Sequence, residues 1–74
     1  MSRPPDARTV IVSSVLASMR YSLEATLELE FRTGAIYRYV AVPPVVVEGL
    51  IAAESKGAYF NHHIRNRFHY QRLA

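Results

Sequence analysis

The sharpest alternation of apolar and polar residues runs from Thr26 to Arg32. Leu27, Leu29 and Phe31 fall on one side of an extended chain; Glu28, Glu30 and Arg32 fall on the other. A second run, Ala35 to Val42, follows Thr33-Gly34, so the pair predicts a β-hairpin. Its connection decides the register. A two-residue type I′ loop would force the β-branched Thr33 to positive φ, where such residues are strained. A three-residue loop, Arg32-Thr33-Gly34, leaves Gly34 alone in the left-handed region, as a type I turn plus G1 bulge requires. Leu27 then faces Tyr39, Leu29 faces Tyr37, Phe31 faces Ala35, and Glu30 faces Ile36. Glu28 meets Arg38 as a cross-strand ion pair on the opposite, solvent-facing side. The alternative register would bury the Arg38 guanidinium unpaired, at a prohibitive cost.

Weaker patterns flank this hairpin. Val15 to Tyr21 alternates with Val15, Ala17, Met19 and Tyr21 against Leu16, Ser18 and Arg20, which predicts a strand. Ser22 to Ala25 forms the next turn without glycine or proline. Thr9 to Val12 is β-branched and is either an edge strand or an extended lead-in. Pro43-Pro44 ends the third strand and suits the first turn of a helix, predicted from Pro44 to Glu54. Its apolar stripe is Val46, Val47, Leu50, Ile51 and Ala53. Three successive valines and Gly49 are poor helix formers, so packing must hold it. Ser55 is a suitable N-cap for a second helix, Lys56 to Arg65. There Phe60 and Ile64 would face the core, with Tyr59 and His63 in the adjacent row, and Asn66 would cap the end. Phe68 to Leu73 alternates again and predicts a last strand. The fold class is α+β: a small antiparallel sheet, a three-stranded meander plus the C-terminal strand, packed on two short helices. The helices are expected on the face bearing Leu27, Leu29, Phe31, Tyr37 and Tyr39. Residues 1–9 read as a flexible N-terminal tail and 10–74 as a single domain.

Composition narrows the possibilities. The chain has 74 residues and a mass of 8.4 kDa, which leaves room for one core and little room for an enclosed active site. It has no cysteine, hence no disulfide and no thiolate metal site. No apolar run reaches membrane-span length, and the N-terminus lacks a signal peptide's apolar stretch. A cytoplasmic protein with no membrane association is expected. The net charge of +3 is unevenly spread. Residues 55–74 carry Lys56, Arg65, Arg67 and Arg72 with no acid, and hold all three histidines. This end is +4, whereas the preceding part is about −1.

Several short motifs occur in a fixed order: Val12-Ser13-Ser14, Tyr37-Arg38-Tyr39, Val42-Pro43, Ser55-Lys56-Gly57, Tyr59-Phe60-Asn61, Ile64-Arg65 and Phe68-His69-Tyr70. In this the chain resembles the KTSC family, a small domain named for the C-terminus of some lysyl-tRNA synthetases and also found alone in bacteria. The resemblance spans about Val12 to Leu73. It implies the fold more than a function, although the synthetase context suggests RNA. Two departures stand out. Arg20-Tyr21-Ser22 replaces a frequent Gly-Tyr-Asp, and His69 replaces a frequent proline.

Catalytic and metal chemistries find little support. His62 and His63 diverge by ~100° on a helix and cannot share an ion, so neither a metal nor another cofactor is expected. The chain has no nucleophile elbow and no glycine-rich phosphate loop, and its one aspartate, Asp6, lies in the predicted tail. A non-catalytic binding module is therefore expected. Its predicted contact residues for weak binding of RNA or another polyanion are Lys56, Tyr59, His62, Arg65, Arg67, His69 and Arg72. Cations would track phosphates, and aromatic planes would stack unpaired bases. Tyr37, Tyr39, Phe60 and Phe68 are assigned to the core that so small a domain needs. The alternative is a protein-interaction or homodimerisation module using a sheet edge or the outer sheet face beside Ile36 and Val40.

Overall fold

A computed structural model describes residues 9–11 and 13–74; the predicted tail up to residue 8 lies outside them. Five strands, β1 (Thr9–Val10), β2 (Leu16–Tyr21), β3 (Leu27–Phe31), β4 (Ile36–Tyr39) and β5 (Tyr70–Arg72), form one antiparallel sheet in chain order. Two helices, α1 (Pro44–Ala52) and α2 (Lys56–His63), lie between β4 and β5 and cover one face. The Thr9–Val10 pair is an edge strand, with Thr9 opposite Met19.

The central hairpin has the register that its loop dictates: Leu27 opposite Tyr39, Glu28 opposite Arg38, Leu29 opposite Tyr37 and Glu30 opposite Ile36. The Gly34 amide donates to the Phe31 carbonyl at 2.9 Å, and Gly34 holds φ +96°. Leu27 and Leu29 are fully buried, and Phe31 meets Phe60 of α2 edge-on at 5.2 Å.

Three local features depart from the expected pattern. A register shift between Leu16 and Ser18 breaks the alternation of β2. The extra residue turns Leu16 inward to 0% exposure and leaves Val15 partly exposed. The stripe of α1 is narrower than predicted, because Val47 and Leu50 are buried but Ile51 is 58% exposed. Glu28 is not solvent-facing: it is 6% exposed, held by Arg20 Nη2 at 2.7 Å and Arg38 Nη2 at 3.5 Å. Beside it Ser18 Oγ donates to Glu30 Oε1 at 2.7 Å. The outer sheet face is therefore built on a polar network that spans β2, β3 and β4.

Both helices end earlier than periodicity predicts, each for a backbone reason. Ala53 leaves the helical region at ψ 138°, so α1 stops at Ala52. At the end of α2, the amides of Ile64 and Arg65 both donate to the Phe60 carbonyl, and Asn66 takes φ 62°. Ser55 caps α2 as expected, its hydroxyl accepting from the Ala58 amide at 3.2 Å. The core lies between the sheet and the helices, with Leu16, Leu27, Leu29, Val42, Leu50 and Ile64 fully buried. Each such side chain contributes about 1.5–3 kcal/mol of transfer free energy.

Candidate functional site

The register of β4 and β5 creates an open concavity. Tyr39 pairs with Tyr70, and Tyr37 pairs with Arg72, so these four side chains share the helix-side face of the sheet. The eight-residue α2 covers that face only in part: Phe60 seats against Phe31 and Tyr39, at 5.2 and 5.9 Å. Tyr37 remains half-buried and Tyr70 is 57% exposed. The result is an open groove of about 560 Å³ between the sheet and the end of α2.

Its floor is aromatic. Tyr37 and Tyr39 lie nearly parallel, 22° apart with centroids 6.3 Å apart, and Tyr70 stands 5.5 and 5.7 Å from them. Its rims are cationic and amidic: Arg65, Asn61 and Asn66 on the α2 side, Arg72 on the β5 side. Among the described residues, no carboxylate, histidine or serine side chain lines it. The Arg72 guanidinium carbon sits 5.8 Å from the Tyr37 ring centroid, a cation–π distance. Burial pushes the Tyr39 hydroxyl pKa up to about 12; Tyr37 and Tyr70 add to the shift, and Arg65 opposes it. No buried side-chain polar atom among the described residues is without a partner. The Tyr39 hydroxyl, which makes no hydrogen bond there, therefore keeps contact with solvent at the groove.

The predicted contact residues separate into distinct places. Arg65 and Arg72 flank the groove. Arg67 and His69 lie beyond Asn66, on a separate shallow depression beside Val40 and Ala41. His62 is exposed on α2, 6.5 Å from His63. Lys56 folds back on α1, its Nζ donating to the carbonyls of Ala53 at 2.7 Å and Ile51 at 3.1 Å. Tyr59 joins the helices: its hydroxyl donates to the Val46 carbonyl at 2.9 Å, and its ring packs on His63 at 4.5 Å. Arg32 is also occupied, donating to the carbonyls of Ser13 and Ile11. Among the described residues, Arg65 and Arg67 are the cations that make neither a hydrogen bond nor an ion pair. Of the groove residues described above, Tyr37, Tyr39, Tyr70, Asn61 and Asn66 are not among the predicted contacts. For the tyrosines the signal lies in the alternation of β4 and β5, which places Tyr37, Tyr39, Tyr70 and Arg72 on one face.

Neither a three-residue metal-binding cluster nor a helix long and apolar enough to cross a membrane occurs among the described residues. A small α+β domain with a shallow aromatic and basic groove is the class that fold and site define. The chain belongs to the KTSC domain family, whose model matches residues 12–68. It is 51% identical over 55 residues to an uncharacterized protein of Stutzerimonas stutzeri, covering 73% of this chain and 78% of that one. It is 40% identical over 62 residues to a lysine–tRNA ligase of Nostoc punctiforme, covering 82% of this chain but 11% of the ligase. The crystal structure of a KTSC domain protein from Yersinia pestis superposes with a TM-score of 0.88 at 29% identity, covering 92% of this chain and 97% of that one.

Proposed function

We propose that this KTSC domain is a non-catalytic module that binds RNA weakly, mainly through charge, in the groove between α2 and β5. The observation that carries the reading is the pairing of Arg65 and Arg72 across an aromatic floor, with no carboxylate side chain among the described lining residues. The Arg65 side chain spends no hydrogen bond on the fold, and the Arg72 side chain uses only its Nε, which donates to the Ala74 carbonyl at 2.9 Å. Both guanidinium groups keep donors for phosphate. The described lining residues include no histidine or carboxylate side chain, and burial moves Tyr39 further from neutral pH, which favours a binding role over acid–base chemistry. The lysine–tRNA ligase relatives support an RNA partner through their named substrate.

Anisotropy of a labelled single-stranded RNA across a salt series tests this. Wild type should bind at low salt and lose affinity steeply as salt rises. Arg65→Ala/Arg72→Ala should flatten the log–log slope by about 1.4, two phosphate contacts at about 0.7 each. No binding at low salt would sink the RNA reading. An unchanged slope in the variant would sink the groove as its site. Mass rising with protein concentration in sedimentation, without RNA binding, would favour self-association instead.

A further inference from the structure

Resting on the RNA reading, we infer that the groove recognises an unpaired base, stacked on the Tyr37–Tyr70 floor, and so selects single-stranded over duplex RNA. Three features point the same way. First, the floor is an accessible π-surface. Tyr70 is 57% exposed, and its ring stands 5.5 Å from that of Tyr37. A planar group already occupies the space above Tyr37, since the Arg72 guanidinium lies 5.8 Å from the ring centroid. A nucleobase fits the same position and places its phosphate beside the displaced guanidinium. Second, the size matches. About 560 Å³ lies within the range that small ligands occupy, enough for one nucleotide and far too narrow for a helix. A duplex offers phosphates and 2′-hydroxyls while hiding the faces of its bases, so it can use the arginines but not the floor. Third, the α2-side rim carries Asn61 and Asn66, whose side-chain amides make no hydrogen bond among the described residues. Amides pair with base edges, which are exposed only when the base is unpaired. A purely electrostatic site would need none of these features.

The experiment compares three polyanions on the full chain: a short unstructured oligouridylate, an RNA duplex of matched length, and inorganic polyphosphate. The single strand should bind roughly tenfold tighter than either of the others. Tyr70→Leu should lose roughly tenfold for the single strand and leave duplex binding unchanged, while Tyr70→Phe should retain wild-type behaviour. In wild type, the ring protons of Tyr37 and Tyr70 should shift upfield on adding the single strand, a readout independent of any variant's folding. Equal binding of all three polyanions with unmoved ring protons would overturn the stacking inference while leaving a charge-driven site. Absence of binding to every one of them would instead remove the RNA reading itself.

Discussion

Ala25 and Ala41 occupy backbone angles that suit glycine, at φ 58° and 57°. Ala25 turns the loop between β2 and β3, where the Ser22 amide donates to the Thr26 carbonyl at 3.0 Å. Its carbonyl accepts from the Val42 amide at 2.9 Å, so the loop is anchored to the start of the helical segment. The left-handed angle costs a non-glycine residue about 1–2 kcal/mol, while glycine loses about 0.5–1 kcal/mol in extra chain entropy. Ala25→Gly should therefore stabilise the fold by about 0.5–1 kcal/mol, read as a higher urea midpoint at unchanged slope. Tyr39 gives a pH-dependent prediction. Below pH 10 both folded and unfolded chains keep its proton. From 10.0 to about 12 the unfolded chain loses it and the folded one does not. The native state then binds more protons, so this contribution to stability is lost as pH rises through that window. Tyr39→Phe should show a shallower decline of the urea midpoint there; an identical decline would mean that Tyr39 does not titrate differently on folding.

Between elements, the tightest fit is that of α1 with α2. A Cβ on Gly49 would lie 2.7 Å from Tyr59 Cζ and closer still to its hydroxyl, so the helices approach only because residue 49 is glycine. Gly49→Ala should destabilise by about 1–3 kcal/mol despite alanine's better helix propensity. Combined with Tyr59→Leu it should cost clearly less than the sum of the two singles, because the second change removes what the first collides with. Additive costs in thermal unfolding would argue against the contact. The same contrast explains what the sequence makes legible. The β3–β4 register follows from one glycine and one ion pair, and the Ser55 cap from one hydroxyl, because these are local constraints. The irregularity at Ala17 is a compromise among three strands, and no local signature marks it. Gly49 reads as a weakness of α1 until Tyr59 is placed against it. Ile51 reads as core because periodicity gives the stripe's direction but not its width. The site was legible to the same degree. Arg65 and Arg72 stand out by charge, whereas the groove between them depends on how far α2 extends over β5.

At the scale of the whole molecule, the described lysine and arginine side chains divide into those the fold uses and those it leaves largely unused. Arg20 and Arg38 clamp Glu28 across three strands, Arg32 ties the segment before β2 to the sheet, and Lys56 closes the C-terminal carbonyls of α1. Arg65 and Arg67 do none of this, and Arg72 does so only through the Ala74 carbonyl. In a 74-residue chain the first set is needed for a stability of only about 4–11 kcal/mol. The second set is available to a ligand. Folding and binding should therefore separate cleanly by substitution. Lys56→Ala deprives two carbonyls of a charged donor at a helix C-terminus and should cost about 1–2 kcal/mol in denaturant unfolding. Its RNA affinity should fall only slightly and show nearly the wild-type salt slope, because its charge lies at the junction of α1 and α2 and not at the groove. Arg65→Ala/Arg72→Ala should do the reverse, with stability within about 0.5 kcal/mol of wild type and a flattened slope. A Lys56 variant that flattens the slope as much as the double variant would mean that binding draws on the whole positive end rather than on two residues. The groove would then be a consequence of packing, and the net charge of the C-terminal third would be the functional quantity.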